Sequence, residues 1–249
     1  MTLRWQATGV SDTGLRRAQN EDTLVLDDAE GVVIVADGMG GRPGGEYASS
    51  LAAEVVQAHL SSHEGSVGEP GDRMAEAISS ANLKVWEASV ADPARQGMGT
   101  TVTALALDGD TAQWIIGHVG DSRGYLFRDG ELRRITRDHT VVQELLDSGA
   151  ISPSSLVDHP LGHLINRAVG TEETVEVDIF RGEVLPGDIF LLCTDGLAGL
   201  ITDDELGDIL QGLAITGLDE KSAELVAIAH DRGAPDNVTL CFMAVEDDS

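Results

Sequence analysis

The chain has 249 residues, with 16 Lys and Arg against 43 Asp and Glu, for a formal charge of −27. Its only lysines are Lys84 and Lys221, which excludes a backbone-tracking nucleic-acid binder and a polybasic membrane anchor. Hydrophobic residues make up 42%, enough for a real core. No apolar run approaches the ~20 residues of a membrane span, and nothing apolar follows residues 1–5 as in a secretory signal, so the cytoplasm is the expected compartment.

In chain order, β-branched and apolar runs predict strands over residues 23–26 and 32–36. A helix follows over 45–59, with Ala48, Leu51, Ala52, Val55, Val56 and Leu60 on one face. The Gly/Ser/Glu-rich stretch 61–71 reads as a surface loop. A second helix over 73–90 aligns Ala77, Ile78, Ala81, Val85 and Trp86, and the two are expected to pair antiparallel. Strands over 100–107 and 113–119 flank Asp108-Gly109-Asp110, which reads as a hairpin turn. Strands over 125–128 and 132–135 flank Asp129-Gly130, a pair suited to the two positive-φ positions of a type I′ turn.

Residues 137–170 break into short pieces: a helix over 141–146, a stop at Gly149, a start at Ser152-Pro153, and His159-Pro160. Such an excursion reads as an inserted flap. Strands over 175–180, 189–194 and 238–245 and helices over 205–213 and 220–230 complete the chain. This order argues against strict βαβ alternation and for sheets covered by helices. Cys193 and Cys241 fall inside apolar strand runs and are expected as buried, free thiols.

The acids are informative by position. Asp37 ends VVIVADG, Asp121 ends IIGHVGD, Asp195 ends FLLCTDG, and Asp236 immediately precedes NVTLCFMAV. Each alone is an ordinary turn residue. If the strand ends converge, the four form an all-oxygen cluster without His or Cys, the donor set of Mg²⁺ or Mn²⁺. Two such ions ~4 Å apart can bridge a water, lower its pKa and aim it at phosphorus. Upstream, SDTGLRRAQNED (11–22) offers an Arg that could grip a phosphate bidentately, with Glu21 and Asp22 holding metal-bound waters; alone it is equally a polar turn.

SDTGLRRAQNED, VADGMGG (35–41), GEYAS (45–49), MGTT (98–101), VGDSRGYLFRDG (119–130), ITRDH (135–139), TDGL (194–197) and APDNVTL (234–240) follow one another in the order of the metal-dependent Ser/Thr protein phosphatases of type 2C. The chain resembles this family, in particular its small bacterial members, across nearly its whole length. The resemblance implies an α+β fold: one phosphatase catalytic domain over 1–249, with a central sandwich of two mainly antiparallel sheets flanked by helices, and the flap beside the active site.

It also implies two catalytic Mn²⁺ or Mg²⁺ ions. Asp37 would bridge them, with the carbonyl of Gly38 as a further ligand of one, and Asp195 and Asp236 would bind the other. Asp121 with Asp195 would hold a third, weaker ion. Arg17, three residues before Asn20, takes the place of the family's phosphate-gripping Arg, in preference to Arg16, and Glu21 and Asp22 would act through metal-bound water. The implied reaction is direct attack of metal-activated water on phosphoserine or phosphothreonine, by a monomer acting on phosphorylated proteins and opposing a Ser/Thr kinase. The alternative is a catalytically silent phosphoprotein-binding module, whose signature would be the loss of metal carboxylates.

Two departures stand out. Animal members carry His after the bridging Asp-Gly where this chain has Met39, which leaves the general acid unassigned. Arg42-Pro43 stands where bacterial members often have His, and Arg42 is expected to face solvent.

Other motifs read as structural. In GMGGRPGG the third Gly of G-x-G-x-x-G falls at Pro43, so the dinucleotide fingerprint is not met. His118, His139, His159 and His163 make no i, i+4 zinc pair; His118 is placed at a strand end and His139 in support of the flap. Trp5, Trp86 and Trp114 are expected in the core, and the Asn237-Val238-Thr239 sequon is expected inside a strand. The remaining acids read as a solvated surface, for which a salt-adapted host is one explanation.

Overall fold

The computed structural model describes residues 3–39, 44–61, 69–109, 111–152, 159–162 and 164–247. Arg42-Pro43, most of the predicted 61–71 loop, Asp110, Pro153 and His163 lie outside the described residues. The strands are β1 (Leu3–Asp12), β2 (Asp22–Asp27), β3 (Val32–Asp37), β4 (Val102–Asp108), β5 (Gln113–Val119), β6 (Arg123–Arg128), β7 (Glu131–Arg134), β8 (Asp178–Glu183), β9 (Ile189–Cys193) and β10 (Val238–Asp247). The helices are α1 (Gly45–Ser61), α2 (Pro70–Ala91), α3 (Val141–Asp147), α4 (Asp195–Ala198), α5 (Asp203–Ile209) and α6 (Leu218–Asp231).

The strands form two five-stranded sheets, β1-β10-β9-β6-β7 and β2-β3-β4-β5-β8, antiparallel at every pairing. Side chains alternate between faces along a strand, and here both faces are covered. In β3, Val32, Ile34 and Ala36 pack under α1 and α2, while Val33 and Val35 face the other sheet. In β10, Leu240, Phe242 and Ala244 meet the helices at the opposite surface, and Cys241, Met243 and Val245 fill the space between the sheets. This double burial is why these strands read as continuous apolar runs rather than alternating ones. Cys193 and Cys241 are buried and free; they sit on opposite faces of adjacent strands, Cys193 toward the helices and Cys241 toward the facing sheet.

The turn between β6 and β7 has Asp129 at φ 54° and Gly130 at φ 80°, as a type I′ turn requires. The β4–β5 connection is longer than a two-residue hairpin, and Ala112 is its positive-φ residue at 51°. Several elements differ from the sequence expectation. Strand β1 was not anticipated, because LRWQATGVSD mixes polar and apolar residues along a sheet edge. Helix α2 begins three residues earlier, since Pro70 is tolerated in a first turn. Strand β8 is shifted to 178–183 by its register with β5, which pairs His118 with Asp178 and Gln113 with Glu183. Helix α5 starts at Asp203, where the Thr202 hydroxyl accepts from the Glu205 N–H, and it ends at Ile209.

Of the tryptophans only Trp114 is core, at 4% exposed. Trp86 is half-buried. Trp5 is half-buried over the glycines at 31 and 109, with its Nε1–H donating to the Asp28 carbonyl.

Candidate metal centre

Both sheets send strand ends to one edge of the sandwich. Asp22 opens β2 directly opposite Asp37, which closes β3. Asp195 begins α4 immediately after β9, Asp236 lies just before β10, and Asp121 sits in the turn joining β5 to β6. Glycine is required where backbones close in: a Cβ on Gly38 would lie 2.3 Å from the Gly45 carbonyl oxygen and 2.5 Å from that of Glu21. On Gly196 it would lie 1.8 Å from the Asn237 carbonyl oxygen, so the β9–α4 turn can abut β10 only without a side chain.

The electrostatics follow from this convergence. Burial, then the charges of Asp195, Asp22 and Asp121, push the Asp37 carboxyl well above its usual range. Burial, followed by Asp195, does the same to Asp121. Asp195 is raised by burial and by Asp236 and is partly relieved by a hydrogen bond with Asp37. Asp22 is pushed up to about 7 by burial and by Asp195 and Asp236, against hydrogen bonds from Thr239 and Thr194. The Thr194 hydroxyl donates to Asp22 Oδ2 at 3.0 Å.

Arg17 Nη2 donates to Asp236 Oδ2 at 2.7 Å, and its guanidinium also lies in the field of Glu21 and Asp37. Glu21 stands at the rim, raised by burial and by Asp236 and Glu46 against the pull of Arg17. Every candidate side chain from the sequence is thus at this one edge. Arg16 is exposed.

Among the described residues, no three His, Cys, Asp or Glu side chains are already closed into a ligand set; Asp37 and Asp195 share a hydrogen bond and Asp236 is held by Arg17. The fit to a metal therefore rests on donor chemistry and on orphaned atoms. The buried Oδ1 atoms of Asp22 and Asp121 have no hydrogen-bond partner, a costly state for a carboxylate oxygen. An all-carboxylate cluster carrying such oxygens matches a hard divalent cation with oxygen ligands.

The sequence reading missed the residues that hold this edge together. Asn237, 4% exposed, donates from Nδ2 to the carbonyls of Thr13 and Gln19 and accepts at Oδ1 from the Glu21 N–H, each at 2.9 Å. It thereby clamps both ends of the loop bearing Arg17. Its side chain is fully engaged, which closes the sequon. The Ser49 hydroxyl on α1 donates to the Glu21 carbonyl at 2.6 Å, and the Thr101 hydroxyl accepts from the Asp37 N–H at 2.9 Å. Arg123 contacts Asp138 at 2.9 Å and the Ala198 carbonyl at 3.3 Å, bracing α4 against residue 138. The one available signal was adjacency, since Asn237 follows Asp236 and Arg123 follows Asp121 by two.

An α-β-β-α sandwich that gathers aspartates at one edge has the donor chemistry of a protein that holds divalent cations. The protein phosphatase 2C profile matches residues 16–228, and the chain belongs to that family. It is 40% identical over 250 residues to the serine/threonine protein phosphatase PstP of Mycobacterium tuberculosis, covering 99% of this chain but 46% of that protein; the chain thus spans about half the length of that relative. The serine/threonine phosphatase stp of Listeria monocytogenes is 35% identical over 238 residues, covering 94% of this chain and 93% of the relative. Among solved structures, the PstP catalytic domain in complex with two manganese ions superposes with a TM-score of 0.86 at 36% identity, covering 99% of this chain and 100% of that one.

Proposed function

We propose that this chain is a Mn²⁺- or Mg²⁺-dependent phosphatase acting on phosphoserine and phosphothreonine in proteins. The observation that carries the reading is the convergence of Asp22, Asp37, Asp121 and Asp195 at one edge with two buried carboxylate oxygens unpartnered. Mutual repulsion of this kind costs stability and is sustained where a cation offsets it. Asp37 and the Gly38 carbonyl, with Asp195 and Asp236, are assigned to two catalytic ions, and Asp121 with Asp195 to a third. Asp22 and Glu21 act through water.

Ions bound there supply a water of lowered pKa and neutralise phosphate charge. Arg17 supplies the orienting grip: its planar fork spans two phosphoryl oxygens, and it stands beside Asp236, where developing charge would fall. The excursion 137–170 is assigned as the flap that influences which phosphoprotein enters. The names of the relatives support a phosphoprotein substrate, and the role we assign is opposition to a Ser/Thr kinase by a cytoplasmic monomer.

The test is hydrolysis of a phosphothreonine peptide by the parent with Mn²⁺, by the parent with EDTA, and by Asp195→Asn with Mn²⁺. Activity confined to the first condition is expected. Folded protein inactive in all three would instead favour a silent phosphoprotein-binding module.

A further inference from the structure

His139 lies at the root of the 137–170 excursion and is 7% exposed. It holds Gly120 from two sides: its N–H donates to the Gly120 carbonyl at 2.7 Å, and its Nδ1 accepts from the Gly120 N–H at 3.0 Å. Because Nδ1 accepts, the neutral ring carries its hydrogen on Nε2, which lies 3.2 Å from Asp178 Oδ2 and 2.9 Å from Arg167 Nη1; Arg167 can only donate, so that hydrogen is directed to Asp178. Arg167 Nη1 donates to the other oxygen of Asp178 at 2.7 Å. The His139 carbonyl accepts from the Asn166 N–H at 3.0 Å, so the two ends of the excursion are strapped together at this residue.

The ring cannot drift. His118 lies against it with centroids 4.8 Å apart, and His118 is itself held by the Thr103 hydroxyl at 2.9 Å and the Arg137 carbonyl at 3.0 Å. Gly120 is equally constrained, at φ +115° with Thr101 Cβ 2.6 Å from where a Cβ would stand. The next residue is Asp121, whose buried Oδ1 has no partner.

We propose that His139 is a positioning residue for the reaction. Its Nδ1 fixes the Val119–Gly120 peptide through the Gly120 N–H while its backbone N–H holds the next peptide through the Gly120 carbonyl, and the two together set the direction in which Asp121 offers its carboxylate to a divalent cation; Nε2 ties the ring that makes the first of these bonds to Asp178. Partners of this outer kind typically change metal affinity 10–100-fold, in order-of-magnitude terms, when removed. The inference rests on the reading of Asp121 as a ligand of the third ion.

Two substitutions separate the two ring nitrogens. His139→Asn keeps an acceptor near Nδ1 and loses the reach to Asp178; His139→Gln keeps a polar atom near Nε2 and loses the bond to Gly120. Mn²⁺ binding to the full chain is counted from the electron paramagnetic resonance of free Mn²⁺, with Asp121→Asn as reference. Asp121→Asn should lose the weakest-bound ion. His139→Gln should weaken that same ion about tenfold and leave the tighter ions unchanged, while His139→Asn should bind all of them as the parent does. A merely structural role would lower thermal stability in both His139 variants and leave Mn²⁺ binding alone. Parent-like binding by His139→Gln, or equal weakening in both variants, overturns the proposal. Parent-like binding by Asp121→Asn overturns the ligand reading itself, independently of either His139 variant. If His139→Gln does not fold, His139→Ala, which removes the Nδ1 acceptor and adds no bulk, takes its place: weakening of the weakest ion while His139→Asn binds as the parent does supports the proposal, and unchanged affinity overturns it.

Discussion

Asp37 occupies a position that a carboxylate chosen for stability would avoid, half-buried and facing the charges of Asp195, Asp22 and Asp121. In metal-free protein Asp37→Asn should therefore raise the melting temperature, by about 2–4 °C for each kcal/mol of repulsion relieved in a chain of this size, while abolishing phosphatase activity. Mn²⁺ should stabilise the parent by about 2.7 kcal/mol at a hundredfold excess over its dissociation constant and stabilise the variant much less. Scanning calorimetry in EDTA and in Mn²⁺ checks both, and a variant less stable than the parent in EDTA would contradict the repulsion account. His118 gives the stability a pH dependence. Burial, reinforced by His139, pulls its pKa down from 6.5 to about 3, so below pH 6.5 the unfolded chain takes up a proton that the native state refuses. Its contribution is intact above pH 6.5 and is lost as pH falls toward 3, with a slope of up to about 1.4 kcal/mol per pH unit. His118→Gln, which can still donate toward the Arg137 carbonyl, should be less acid-sensitive than the parent across that window in urea titrations. Parallel pH curves for the two proteins would refute it.

At the scale of elements, the loop 13–21 is held by residues 234–237, which lead into β10, rather than by any regular structure of its own. Asn237→Ala leaves the Thr13 and Gln19 carbonyls and the Glu21 N–H without their buried partner, at about 1–3 kcal/mol for each group left unsatisfied. Arg17 should lose its fixed position, so KM for a phosphopeptide should rise more than kcat falls, and steady-state kinetics on the folded variant decide this. An unchanged KM would mean that Asp236 alone places Arg17. This clamp also marks where legibility ended. Runs such as VVIVAD and IFLLC could be read as strands because both faces are buried, and Asp129-Gly130 because only a type I′ turn needs two positive φ values in succession. The aspartates could be placed because each ends or precedes such a run. Asn237, Ser49 and Thr101 act on residues far away in sequence, and although Asn237 adjoins Asp236, nothing in the local pattern says which backbone groups the three side chains hold. Strand β1 escaped because an edge strand with half-exposed residues has no continuous apolar signal, and α4 because four residues of helix look like a turn.

Over the whole molecule, the charge of −27 is far larger than the site requires. Among the described residues only Glu21, Asp22, Asp37, Asp121, Asp195 and Asp236 belong to the cluster, so most of the 43 acidic side chains act through the general field, where excess charge of one sign keeps a protein dispersed and works against compaction. Self-repulsion of this kind is screened over a known range: the Debye length falls from about 30 Å at 0.01 M salt to about 10 Å at 0.1 M and about 3 Å at 1 M. The melting temperature in EDTA should therefore climb with KCl, most steeply below about 0.1 M, and flatten as 1 M is approached. The Asp37→Asn variant should follow the same curve displaced upward, because its relief is local and the remaining field is shared. A continued rise into multimolar KCl would instead indicate a surface adapted to bind hydrated salt, as expected of a salt-adapted host. A flat response across the whole range would mean that the surface acids stand far enough apart in water not to oppose compaction, and would remove net charge from the account of this protein's stability.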